Sequence, residues 1–282
     1  MNGESKQQLI MYLLFCIILP LISQVLGNSN CDNASNERNH YVIETLADNF
    51  VAPYQLAFDA NTNTLFFSYT VEKAKRYFKI VYMDVNTKEK GEVTGIPDGF
   101  AQTVDTRNHI VYMGGRNGIY QFDYKTKSAN SLNITKESIW QMFFKDYLYY
   151  TTIYPDEVAY VYKNGVVSKV QQLENIKTLL IAVDNNNNIY YSNSSGLFVL
   201  DNANVTENIG EYNINGFTSD VKGNLYFSTT SEIYSIVTKN TVKKIADLND
   251  DVHGVAIDAD GNYIYSTYES VKRLKVEATN CS

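Results

Sequence analysis

The sequence predicts an all-β protein: a six-bladed β-propeller with four-stranded blades, the last blade closed by the N-terminal strand. Three observations carry this. An apolar run ends in Asp, passes a polar turn and resumes as alternating β-branched and aromatic residues. It recurs as LAFDANTNTLFFSY from Leu56, QTVDTRNHIVYMGG from Gln102, IAVDNNNNIYYSN from Ile181, TSDVKGNLYFST from Thr218 and VAIDADGNYIYSTY from Val255, with a shortened MFFKDYLYYTT from Met142. Asn-rich turns between such runs are hairpin signals, because Asn tolerates the left-handed backbone region and bonds its own neighbours. The aspartates fall at Asp59, Asp105, Asp184, Asp220 and Asp258, with gaps of 46, then 79 across two units, then 36 and 38. Six units of about 40 residues match the blade period of a propeller.

The third observation is a strand count. HYVIETL from His40 reads as a strand with nothing before it to pair with. GEVTGI from Gly91, NSLNIT from Asn130, VVSKVQQL from Val166 and TVKKIADL from Thr241 read as the fourth, outer strand of each blade. The last unit supplies three strands, from Val252, Tyr263 and Val271. One strand at the start, five complete blades and three strands at the end close a ring and remove the open seam that an unpaired edge would leave.

Taken in order, residues 1–27 read as a signal peptide: Lys6, an apolar run from Leu9 to Leu19, Pro20, and small-residue positions at Val25 and Gly27. A membrane anchor is the alternative, and the run is short for one. Residues 28–282 form a single propeller domain. Removing the leader takes away Glu4 and Lys6, so 24 − 1 basic and 31 − 1 acidic residues leave the net charge at −7. Such an acidic chain has no electrostatic footprint for nucleic acid or for an anionic membrane.

Cys16 leaves with the leader, and Cys31 and Cys281 remain at the two extremes of the mature chain. In an oxidising compartment an isolated pair reads as a disulfide, with free or intermolecular thiols as the alternative. Sequons at Asn33, Asn133, Asn193 and Asn204 fit the same compartment.

Second strands read TLFFSY, HIVYMG, YLYYTT, NIYYSN, NLYFST and NYIYST, with a small or hydroxyl residue near each end at Ser68, Gly114, Thr151, Ser192, Ser228 and Ser266. Most of the 23 tyrosines sit in second and third strands and read as packing between blades. The loops leading into the inner strands share one face with the loops joining second to third strands. That face is the expected mouth for a ligand, and the Asp turns belong to the opposite one, where they read as turn formers rather than metal ligands.

Candidate ligand-binding residues on the mouth face are Tyr54, Phe100, Gln102, Trp140, Gln141, Phe217 and His253 from the lead-in segments, with Arg116, Tyr154 and Tyr268 from the second-to-third loops. Leu180 and Asn193 mark the same end of the fourth blade. Aromatic rings with a few amides describe a pocket for a planar, partly polar molecule. The charged loop Glu72, Lys73, Lys75 and Arg76 reads as a solvated rim, with a flap or attraction of an anionic ligand as the alternatives. There is no HExxH and no GxSxG, and the histidines His40, His109 and His253 are scattered over different units. No catalytic residue, metal site or cofactor is expected.

The chain resembles the lepidopteran ommochrome-binding proteins, secreted haemolymph carriers of tryptophan-derived phenoxazinone pigments. The resemblance runs from the CDN segment at Cys31 to Cys281. It is carried by HYVIETLADNFVAPYQLAFD, by the phrases GFAQTVD and GNLYFST, and by VHGVAIDADGNYIYSTY. It implies a non-catalytic carrier of an aromatic, redox-active, partly anionic pigment, an ommochrome. It supplies no residue-level site. A second resemblance is to metal-dependent lactonases of the gluconolactonase and regucalcin type. These place a Glu at the first inner strand, where this chain reads VAPYQ from Val51 to Gln55. A protein-binding secreted propeller is a third reading.

Overall fold

The computed structural model describes residues 40–72 and 75–277. Among them, 24 strands form six four-stranded sheets. The chain opens with β1 (His40–Asp48). Blade 1 is β2 (Val51–Asp59), β3 (Thr64–Val71), β4 (Tyr77–Asp84) and β5 (Lys90–Glu92); blade 2 is β6 (Ala101–Asp105), β7 (Ile110–Gly115), β8 (Gly118–Asp123) and β9 (Ser128–Ser131). Blade 3 is β10 (Gln141–Lys145), β11 (Tyr147–Thr152), β12 (Val158–Lys163) and β13 (Val166–Lys169); blade 4 is β14 (Leu180–Val183), β15 (Ile189–Asn193), β16 (Gly196–Leu200) and β17 (Thr206–Gly210). Blade 5 is β18 (Gly216–Ser219), β19 (Leu225–Ser228), β20 (Glu232–Thr238) and β21 (Thr241–Asp247). The last blade holds β22 (Gly254–Ile257), β23 (Tyr263–Ser266) and β24 (Ser270–Glu277), and its outer strand is β1, hydrogen-bonded to β24. The fold class and the N-terminal closure are as the strand count predicts. Each innermost strand touches the next, from β2 through β6, β10, β14, β18 and β22 back to β2, so the ring is closed.

The six core clusters lie between neighbouring blades. One joins Phe66 and Ile80 of blade 1 to Val111, Met113 and Phe122 of blade 2, and another joins Leu46 of β1 to Leu65, Phe67, Ile264 and Val271. Alternation along each strand gives every blade two apolar faces, so each blade is buried by both neighbours. Burying a ring such as Phe67 or Phe227, both at 0 % exposure, contributes about 2–3 kcal/mol. The tyrosines pack in the same way: Tyr150, Tyr190 and Tyr265 are wholly buried, and the Tyr190 hydroxyl donates to the Lys239 carbonyl of the next blade at 3.1 Å.

The recurring Asp is consumed by its own turn. Asp184 Oδ1 accepts from the backbone N–H groups of Asn186 and Asn188, both at 2.8 Å, and Oδ2 accepts from Asn188 Nδ2 at 2.8 Å. Asp220 and Asp258 repeat this arrangement with Asn224 and Asn262. The third residue after each of these three aspartates has positive φ, at Asn187 (61°), Gly223 (80°) and Gly261 (84°), a region open to Gly and Asn.

Electrostatics reinforce the closure. Glu44 on β1 accepts from Arg273 Nη2 and lies by Lys275 of β24, both at 2.8 Å, and by Lys88 at 3.1 Å. Arg273 also reaches Asp258 at 3.4 Å. Hydrogen bonds from Lys275 first, and then Arg273, hold the Glu44 carboxyl down at about 2, against 4.5 ordinarily.

The expected signal peptide at 1–27, the Cys31–Cys281 pair and the Asn33 sequon lie outside the described residues. Asn133 and Asn204 are exposed, and Asn193 is half-buried.

Candidate ligand-binding site

One backbone bond sets the geometry of the mouth. In five blades the residue just before the inner strand donates its N–H to a carbonyl in the last two residues of the second strand: Phe100 to Gly114, Trp140 to Thr151, Leu179 to Ser192, Asn215 to Ser228 and His253 to Ser266, at 2.8 to 2.9 Å. The five side chains are thereby held at equivalent positions around the channel.

Blade 1 departs from this rule. Its inner strand β2 slips register on both sides of Tyr54, and Ala52 (φ 47°) and Gln55 (φ 52°) are left-handed. Ala52 N–H instead bonds the Tyr268 carbonyl of the last blade at 2.7 Å. Left-handed backbone at non-glycine residues costs about 1 kcal/mol or more, and bulges of this kind re-aim side chains beside functional sites. Here both Tyr54 and Gln55 line the mouth.

The resulting cavity has a volume of about 410 Å³ and takes walls from all six blades. One wall of it is an aromatic arc. Tyr54 stacks on His253 at 4.9 Å and 14°, Phe100 stacks on Trp140 at 4.7 Å and 28°, and Tyr54 meets Phe100 at 5.9 Å. Phe78 extends the arc against Phe100 at 4.5 Å. The facing wall is Leu179, Leu180 and Ile214, with polar edges at Gln55, Thr70 and Asn215. Arg76 is the cation of the rim, paired with Glu72 at 3.1 Å. Burial raises the Tyr54 hydroxyl above its usual range, so it is a neutral donor at physiological pH. His253 Nε2 lies 3.4 Å from Asp251, while Nδ1 is buried with no hydrogen-bond partner among the described residues.

Of the residues expected at the mouth, the structure brings together Tyr54, Phe100, Trp140 and His253. Tyr268 is largely exposed and sets its edge on His253 at 6.3 Å. Arg116 pairs with Asp98, whose Oδ1 accepts from Phe78 N–H at 2.7 Å, so it buttresses Phe78 from outside the cavity lining. Tyr154, at 77 % exposure, stands in solvent before a cis Pro155.

Three residues sit elsewhere than expected. Gln141 clips two blades together: its Oε1 accepts from Ile181 N–H at 3.0 Å and its Nε2 donates to the Ile181 carbonyl at 3.1 Å. Gln102 and Phe217 lie two residues beyond Phe100 and Asn215, one full strand period deeper, and line a cavity of about 70 Å³ at the Asp-turn end. The same phase argument puts Leu179 and Asn215, rather than Leu180 and Phe217, at the position equivalent to Trp140. Counting back from Ser192 and Ser228 by the spacing of His253 to Ser266, 266 − 253 = 13 residues, reaches both. Phe78, Thr70 and Gln55 carry no such signal. Arg76 belongs to the cavity rather than to a purely solvated rim.

No family model matches the sequence. The ommochrome-binding protein of Manduca sexta is 39% identical over 260 residues, covering 90% of this chain and 93% of that protein. This chain belongs to the ommochrome-binding protein family. Among solved structures, the fold is similar to a gluconolactonase from Xanthomonas campestris, with a TM-score of 0.68 at 12% identity over 84% of this chain and 90% of that one. It is also similar to a regucalcin, a calcium-binding protein from Agrobacterium tumefaciens, with a TM-score of 0.62 at 11% identity over 84% and 96%. At such identities the likeness is one of fold. The shared scaffold assigns no activity to this chain, because function lies in site residues rather than in the fold.

Proposed function

We propose that this chain is a non-catalytic carrier that binds an aromatic, ommochrome-type pigment in the mouth cavity. The observation that carries the reading is the arc of stacked rings, His253, Tyr54, Phe100 and Trp140, along one wall of a 410 Å³ cavity. That volume suits one fused-ring ligand. Each ring contact is worth about 0.5–1.5 kcal/mol beyond burial. Gln55, Asn215 and His253 Nδ1 are placed to meet carbonyl or amine groups, and Arg76 to meet a carboxylate. The family relationship to an ommochrome-binding protein supports the ligand class. Trp140 is the single tryptophan, so its fluorescence reports on the cavity. Titration with a phenoxazinone pigment should quench it and shift the pigment absorbance; absence of both overturns the reading.

Secretion into haemolymph, through the leader at 1–27, with a Cys31–Cys281 disulfide and glycans at Asn33, Asn133, Asn193 and Asn204, belongs to the same proposal. Among the described residues no helix is long and apolar enough to cross a membrane. Peptide mapping of the secreted protein without reduction tests the leader, the disulfide and the glycans together.

The lactonase reading draws on the shared scaffold. A hard dication needs several oxygen ligands, carboxylates among them. Among the described residues no group of three or more His, Cys, Asp or Glu is arranged to hold one, and the first inner strand offers Tyr54 and Gln55 at the mouth. The residues present do not fit that metal. Lactone hydrolysis assayed with added divalent cations separates the two readings.

A further inference from the structure

Beside the aromatic cavity lies a polar groove of about 440 Å³, between the β15–β16 connection of blade 4 and the 211–214 segment leading to blade 5, and the two share Leu179 and Ile214 as a common wall. The groove is lined by Asn193, Ser194, Ser195 and Asn213, and by Glu211, for which no cation lies within ion-pair distance among the described residues. Its chemistry differs from that of the aromatic cavity: Tyr212 is the one ring of its lining, beside acceptors and hydroxyls. Blade 1, which brings the Arg76 cation to the aromatic cavity, and the Glu211 groove beside blade 4 lie on opposite sides of the six-membered ring.

Resting on the pigment reading, we infer that this groove is a second subsite, taking a flexible arm of the ligand that ends in an ammonium and hydrogen-bonding groups, as an α-amino acid does. The ring system fills the aromatic cavity with an anionic substituent toward Arg76. The arm crosses the Leu179 and Ile214 wall and sets its ammonium against Glu211, with the hydroxyls of Ser194 and Ser195 and the amide of Asn213 meeting its remaining donors and acceptors. Glu211 is exposed, so a charged pair there adds modest affinity and acts mainly on orientation, since the reversed ligand would put like charges together at both ends.

The Asn193 sequon borders the groove, and the Asn193 Oδ1 accepts from Ser195 N–H at 2.8 Å. The test therefore uses the chain produced in a bacterial periplasm, where the sequon stays unglycosylated and the Ser195 hydroxyl is kept. Trp140 quenching is titrated with a phenoxazinone dye carrying an α-amino acid arm and with the same dye N-acetylated on that arm. The free amine should bind roughly fivefold more tightly, and Glu211→Gln should abolish that preference. Equal binding of the two dyes, or a preference that survives Glu211→Gln, overturns the subsite and leaves the pigment reading standing. No quenching by either dye overturns both.

Discussion

The two ends of the channel are built from the same six strands on opposite principles. At the Asp-turn end the repeat is nearly exact in chemistry: Asp184, Asp220 and Asp258 each spend both carboxylate oxygens on their own turn. At the mouth, equivalent positions hold Phe100, Trp140, Leu179, Asn215 and His253, and blade 1 breaks the pattern altogether. A repeated fold is held by what its units share, whereas a ligand is recognised by what they do not. Repetition at one end leaves the other free to differ.

The comparison can be broken most severely at Asp258, which belongs to a turn and also faces the buried Arg273. Replacing Asp258 with Ala removes the turn's acceptor and leaves Arg273, at 7 % exposure, with Glu44 alone. A loss of about 3 kcal/mol is expected, with Tm falling by roughly 6–10 °C and pigment affinity unchanged once folded. Trp140→Ala should do the reverse, costing about 2 kcal/mol of binding, or roughly thirtyfold in Kd, with Tm little altered. Because the substitution removes the fluorophore, the pigment absorbance shift serves as the readout.

Acid sharpens the contrast at the closure. Glu44 has its folded pKa lowered from 4.5 to about 2. Its contribution is therefore fully present above about 4.5 and is lost as pH falls from there through about 2. Denaturation followed across that window should show a loss on the order of 2 kcal/mol that Glu44→Gln flattens. The smallest effect is expected at Arg76, whose side chain is 68% exposed. Arg76→Gln should weaken an anionic phenoxazinone by roughly fivefold and a neutral one not at all, without affecting stability.

Much of the fold was legible along the chain. The Asp spacing marks the blades, and HYVIETL without a partner at one end and three strands at the other imply the β1–β24 pairing. The mouth was legible in part. Phe100, Trp140 and His253 stand one residue before the inner strand and follow from the repeat. Gln141 has the composition of a ligand contact, yet its amide is saturated by Ile181 of the neighbouring blade. Gln102 and Phe217 have the right face and the wrong depth.

Period, turn chemistry and strand count depend on neighbours in sequence, so residue order alone suffices to establish them. Which side chains share a cavity depends on backbone path and on contacts between blades. The left-handed Ala52 and Gln55 that turn Tyr54 into the mouth leave no periodic trace. Tyr54 and His253, stacked at 4.9 Å, come from opposite ends of the chain and meet because the ring closes.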